Sequence, residues 1–296
     1  MPLRRIVMHN QRPSATALLI AKSQLLLRTE AVSAVRADYY RAFVEVVEGK
    51  PWYSNLATRY WHHFIERISI PGIYLHYALR KLCIEQTAKE FLEGAQVEQV
   101  IVIAGGFDPL SVMLSQQYAS TAFFELDHPA TQEAKRLALT KLWRANNLTL
   151  IPVDLTKQSI FEVLRGSSFS LDKFTLFIAE GITMYLDEVE IKRFFKEIRS
   201  CTVNGNSHFL FTYMNKQPSG SLQFESATKL VDCWLWLKKE MFRWGIATSE
   251  LPGFLLANGY RLLRVYDADY LAKQYLLDKN ITLARGENIC LARVEC

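Results

Sequence analysis

The pattern of apolar and polar positions divides this chain near residue 93. Before that point the segments read as helices. The first runs to about Arg28 with Ser14 or Thr16 as its cap, and the others cover Thr29–Val47, Ser54–Ser69 and Ile73–Leu92. Gly49-Lys50-Pro51, Pro71-Gly72 and Gly94 supply the stops between and after them. From Val97 the pattern becomes strand and helix in alternation. Val100, Ile101, Val102 and Ile103 form an unbroken β-branched run, as in a strand covered on both faces. Thr121–Asp127, Leu148–Leu155, Thr175–Gly181 and Ser207–Met214 read as further strands. Helices are predicted over Pro129–Arg144 and from an Asp187 cap to Ser200. This punctuation predicts a parallel sheet with helices on both faces and right-handed crossovers.

The rhythm changes after Met214. A polar loop at Asn215–Gly220 leads into a long helical stretch, Leu222–Gly245, which contains Trp234, Trp236 and Trp244. These tryptophans read as core packing against the N-terminal helices, with a cap over an acceptor pocket as the second reading. A short helix at Pro252–Asn258 precedes two final strands, Tyr260–Asp267 and Glu287–Val294, whose near-hairpin order predicts an antiparallel end to the sheet. The expected organisation is a helical extension over 1–92 and a sheet domain over 93–296, with a helical cap insertion at about 215–257.

The turn after the first strand narrows the ligand. Ala104, Gly105 and Gly106 are small enough for backbone to approach a bound molecule closely. Asp108 stands where a helix N-cap is expected, with Pro109 in the first helical position. No G-x-G-x-x-G is present, and the Asp108 carboxylate occupies the place a pyrophosphate would take. A neutral or cationic nucleoside suits such a turn, and S-adenosylmethionine is one.

Acids close the following strands: Glu125 and Asp127, then Asp154 beside Leu155, then Glu180. In an open parallel sheet the ligand lies outside the carboxyl ends of the strands. Asp127 or Glu125 is placed to accept ribose hydroxyls, Asp154 to accept from an adenine amino group with Leu155 lining the ring, and Glu180 to face a cationic end. The alternative is that each acid caps the helix after its strand.

Composition excludes several classes. Half of the 296 residues are hydrophobic and 22% are charged, as in an ordinary globular protein. The net charge of +5 is dispersed, which predicts a mixed-charge surface and no nucleic-acid partner. The five cysteines are scattered without a C-x-x-C, and no His-Cys or H-E-x-x-H cluster occurs. Neither a disulfide framework nor a metal site is expected, and a reducing cytoplasm fits. The apolar stretch Ala15–Leu27 is broken by Lys22, Ser23 and Gln24, and reads as an amphipathic helix. No apolar run approaches the ~20 residues that span a bilayer.

Taken together, Ile-Ala-Gly-Gly-Phe-Asp (103–108), Glu-Leu-Asp-His-Pro (125–129) with Lys135 following, Val-Asp-Leu (153–155) and Phe-Ile-Ala-Glu-Gly-Ile-Thr-Met-Tyr-Leu (177–186) resemble the leucine carboxyl methyltransferase family. Its bacterial members include polyketide O-methyltransferases. The resemblance covers about residues 75–215. It implies an S-adenosylmethionine-dependent methyltransferase on the doubly wound, mostly parallel seven-stranded α/β fold, with the last strand antiparallel. It also implies roles by position. Arg80 matches the arginine that holds the cofactor carboxylate, and Gly105 and Gly106 fall in the cofactor loop. Asp127 falls on the ribose acid, Asp154 and Leu155 on the adenine pair, and Glu180 on the acid after the fourth strand. The chain departs from the family's Gly-x-Gly-x-Asp-Thr-Arg at Ala104 and at Pro109-Leu110.

The expected reaction is in-line transfer of a sulfonium methyl to an oxygen of a small-molecule acceptor. A carboxylate acceptor needs no base, whereas a hydroxyl benefits from one. Tyr185, Tyr213, His62 and His63 are the candidate bases. The departures in the loop motivate a second reading, a cofactor-binding protein without turnover. A protein C-terminal carboxylate is a further alternative acceptor.

Overall fold

The computed structural model describes residues 13–27, 34–49, 56–94, 97–142, 145–203, 205, 207–228, 241–276 and 281–295. Four helices come first: α1 (Ala15–Leu26), α2 (Ala34–Glu48), α3 (Leu56–Ser69) and α4 (Ile73–Glu93). They match the four expected helical segments where these are described; Arg28 of the first, residues 29–33 of the second and residues 54–55 of the third lie outside the described residues. α1 is capped by Ser14, whose side chain accepts from the Ala17 N–H. It is not amphipathic as expected. Apolar residues surround its axis because it packs on α2 and α4 while its other face borders a crevice.

The sheet contains β1 (Gln99–Ile103), β2 (Ala122–Asp127), β3 (Leu148–Pro152), β4 (Thr175–Ala179), β5 (His208–Met214), β6 (Tyr260–Tyr266) and β7 (Glu287–Val294). Their order is β3-β2-β1-β4-β5-β7-β6. β1 to β5 pair in parallel, and β7 runs antiparallel to both β5 and β6. The intervening helices are α5 (Leu110–Gln117), α6 (Pro129–Leu139), α7 (Ile160–Arg165), α8 (Glu188–Ser200), α9 (Leu251–Ala257) and α10 (Ala268–Tyr275). α7 and α10 were not anticipated from the sequence. α10 is short, and its Asp267 cap accepts from the Tyr270 N–H.

Strand periodicity builds two cores. Val100, Val102, Leu176, Ile178 and Leu210 face one layer, which α1, α2, α4, α5, α6 and α10 cover. Ile101, Ile103, Phe177, Phe209 and Phe211 face the other, covered by α7, α8 and α9. Burial on both faces explains why Val100–Ile103 of β1 show no polar alternation.

The expected helix over Leu222–Gly245 is not found in its described flanks. Residues 222–228 and 241–245 are irregular, and residues 229–240, with Trp234 and Trp236, lie outside the described residues. Trp244 is buried, but against Phe254 of α9, with ring centroids 5.3 Å apart, rather than against the N-terminal helices.

Candidate active site at the sheet's carboxyl edge

The strand order reverses between β1 and β4, and there a crevice opens. Its floor is the turn after β1. Ala104 and Gly106 adopt φ of 55° and 54°, and Asp108 N–H closes the turn on the Gly105 carbonyl at 3.0 Å. α5 begins at Leu110, one residue later than expected, yet Asp108 still accepts the Leu110 N–H at 2.7 Å. Gly105 has a definite steric reason: a Cβ there would lie 2.8 Å from Cδ of Glu125.

Glu125 therefore lies beneath the turn and not in the crevice. Its carboxylate takes Lys135 Nζ at 2.7 and 2.8 Å and the Ser111 hydroxyl, and Lys135 also donates to the Asp108 carbonyl at 2.5 Å. Glu125 is corrected from a candidate ribose acid to a buried support of the loop. The side chains at 125 and 127 share one face of β2, but Lys135 reaches Glu125 first and burial makes that pairing obligatory.

Asp127 lines the crevice. It accepts from the Gly106 N–H and, at 2.5 Å, from the His128 N–H. Burial raises its carboxyl from 3.8 to about 6; nearby Glu125 adds to the rise, and the two N–H donors only partly oppose it.

Arg80, midway along α4, reaches the crevice from the other side. Its Nε and Nη2 donate to Glu180 Oε1 at 2.8 and 2.5 Å, its Nη1 donates to Glu287 Oε2 at 2.5 Å, and its guanidinium sits 4.9 Å from the Tyr77 ring centre. Lys81 bonds Asp108 and, at 2.9 Å, Glu180. Burial would raise the Asp108 carboxyl, but Lys81 and Arg36 outweigh it and hold it at about 2. Within the lining at this end Arg80 and Lys81 face Asp108 and Glu180, a balanced set that suits a ligand carrying charges of both signs. The remaining walls include Ala17 and Ile20 of α1, Tyr40 of α2, Ile182, Tyr185, Met241 and Arg243.

Of the expected site residues, the crevice brings together Arg80, Gly105, Gly106, Asp127, Glu180 and Tyr185. Asp154 and Leu155 do not line it. Asp154 closes its own turn, accepting from Thr156 N–H at 3.1 Å and Thr156 Oγ1 at 2.5 Å, with Lys157 Nζ at 2.7 Å. Tyr213 is fully buried away from the crevice, its hydroxyl 2.9 Å from Thr248 Oγ1 and accepting from Asn288. His62 and His63 lie on α3, outside the lining, with His63 Nδ1 3.5 Å from Glu66. Lys81, Tyr40, Arg243 and the α1 contacts were missed. Lys81 alone had a signal in the sequence, its adjacency to Arg80.

Among the described residues no group of three His, Cys, Asp or Glu side chains is placed to hold a metal ion, and no helix is long and apolar enough to cross a membrane. The groups present fit a zwitterionic nucleoside: a carboxylate beside a backbone loop of minimal side chains, and an Arg–Glu pair for opposite charges.

Fold and crevice together define the class, a doubly wound α/β protein laid out as class I S-adenosylmethionine-dependent methyltransferases are. The chain belongs to the leucine carboxyl methyltransferase family, whose model matches residues 17–199. Among its relatives is a candidate S-adenosyl-L-methionine-dependent methyltransferase of Mycobacterium avium (strain 104), 33% identical over 120 residues, 39% of this chain and 38% of that protein. Another, of Mycobacteroides abscessus, is 25% identical over 214 residues, covering 72% of this chain and 70% of that one. The match thus spans about two fifths of the length of the first relative and some two thirds of the other. A candidate methyltransferase structure from Thermobifida fusca YX shares the fold, with a TM-score of 0.57 and 14% identity over 86% of this chain and 94% of that one.

Proposed function

We propose that this protein binds S-adenosylmethionine in the crevice and transfers its methyl group to an oxygen of a small-molecule acceptor. The observation that carries this reading is the placement of Arg80, Glu180 and Asp127 around one crevice at the β1/β4 switch point. The cofactor, when bound, supplies an electrophilic methyl on a sulfonium. Asp127 accepts the ribose hydroxyls, Arg80 grips the carboxylate and Glu180 faces the ammonium. Gly105 and Gly106 present backbone without side chains to the cofactor, and a Cβ on Gly105 would meet Glu125 beneath the turn. The chain needs no covalent intermediate. It holds the acceptor oxygen in line and excludes water, an effect worth up to ~7–11 kcal/mol.

An acceptor carboxylate is already ionised at neutral pH and asks for no base, which suits a crevice whose acceptor side presents Ile182, Met241 and Tyr185. With Cys83, Cys201 and Cys290 buried and free, the reading places the reaction in a reducing compartment such as the cytoplasm.

Calorimetric titration with S-adenosylmethionine and S-adenosylhomocysteine tests the binding step, and binding of neither rejects the reading. Methyl release against a panel of carboxylic and hydroxylic acceptors, with a peptide carboxylate included, tests the transfer. Binding without release to any acceptor identifies a protein that kept the site and lost turnover.

A further inference from the structure

Glu287 is the first residue of β7, in register with Met214 at the end of β5. β7 runs antiparallel, so its start reaches the same sheet edge as the ends of β1, β4 and β5. The backbone there is pinned: Asn215 N–H donates to the Gly286 carbonyl at 2.7 Å, and a Cβ on Gly286 would lie 2.9 Å from Cα of Phe224. The Glu287 side chain is 1% exposed. Its Oε2 meets two side chains of α4, Arg80 Nη1 at 2.5 Å and His76 Nε2 at 3.3 Å. His76 and Arg80 are four residues apart and share a helix face, so one oxygen closes a clamp on both.

On the other side of the guanidinium, Nε and Nη2 donate to Glu180, and every internal bond described for Glu180 falls on Oε1. Glu180 takes Nε and Nη2 through a single oxygen, which leaves the far nitrogen Nη1 unheld. Held by Glu287 as well, the guanidinium has a single orientation.

We propose that Glu287, steadied by His76, is a positioning residue that orients Arg80 for the carboxylate of the ligand's amino-acid moiety. This rests on the cofactor reading above. Glu287 lies outside the crevice lining and acts through Arg80. Its contribution is therefore confined to ligands that carry the amino-acid group.

The test compares S-adenosylhomocysteine with 5′-methylthioadenosine, which keeps the nucleoside and sulfur but lacks the amino acid. Glu287→Gln is expected to weaken S-adenosylhomocysteine tenfold or more while 5′-methylthioadenosine changes less than twofold. His76→Gln, which leaves the carboxylate in place, is expected to shift the same ratio by a smaller factor. The His76 variant carries the test by itself should Glu287→Gln fail to fold. Unchanged S-adenosylhomocysteine affinity, or equal loss for both ligands, overturns the positioning role. Wild-type protein that binds neither ligand overturns the cofactor reading itself, and this role with it.

Discussion

The backbone N–H of Gly106 donates to Asp127 Oδ2, tying the turn after β1 to the end of β2 across the floor of the crevice. A buried carboxyl with only two N–H donors and no cation at contact distance keeps its proton into mildly acidic conditions, and here it titrates at about 6. Because the folded value lies above the ordinary 3.8, this group's stabilising contribution is complete below about 4 and is lost as pH rises through about 6. Ribose hydroxyls donate best to the ionised form. Affinity for S-adenosylhomocysteine is therefore expected to rise up to about tenfold per pH unit below about 6 and to level off above it, with proton uptake by buffer on binding. Titration calorimetry in two buffers between pH 5 and 8 checks this. Asp127→Asn should flatten the profile and weaken binding; a flat wild-type profile refutes the ribose assignment.

Glu125 and Asp127 stand two residues apart with different work to do. Glu125→Ala leaves Lys135 charged and unpaired in the interior, and is expected to cost about 3–5 kcal/mol of stability. Ligand affinity in the fraction that remains folded should change little. Asp127→Asn should do the opposite. Denaturant melts beside binding isotherms for the two variants decide the matter, and a ligand effect larger for Glu125→Ala reverses the assignment.

Ala104 occupies a left-handed conformation, φ 55°, where a Cβ meets the following carbonyl. Ala104→Gly relieves that strain and loses part of the gain to the unfolded chain's extra freedom. A net stabilisation of about 0.5–1 kcal/mol is expected in urea titration. A destabilised variant means that the methyl group packs usefully and that its strain is offset by contacts.

Arg80 cannot be removed silently. Buried Glu287 and half-buried Glu180 close on it, so Arg80→Ala should abolish recognition of the amino-acid moiety and, by leaving Glu287 without its cation, also cost about 3–5 kcal/mol. Burial would raise the Glu287 carboxyl, but Arg80 and then His76 hold it at about 2. Its depressed value gives stability that is present above about 4.5 and lost as pH falls through about 2. The deficit of Arg80→Ala in thermal melts should accordingly be smaller at pH 3 than at pH 7. An equal deficit at both pH values separates Glu287 from Arg80 energetically.

Local pattern carried a great deal. Four β-branched residues, a three-residue turn of minimal side chains and acids at strand ends placed β1, the loop and Asp127, because these depend on periodicity and backbone sterics near in sequence. Glu287 was invisible for the opposite reason. It sits at the start of a strand, and only the antiparallel insertion of β7 between β5 and β6 turns that start toward the sheet edge where the crevice opens. Asp154 falls outside the crevice lining, because a strand-end acid can satisfy itself in its own turn.

The sequence by itself determined the class of fold, the order of the strands along the chain and the small-residue turn, since hydrophobic period, caps and steric freedom are short-range properties. The tertiary structure alone decided which acid is buried support and which lines the crevice. It also decided that α1 walls the crevice and that Arg80 is held between Glu180 and Glu287. Those outcomes depend on which charged groups meet where water is excluded, and residues 100 and 207 positions apart meet only when the sheet and α4 have packed.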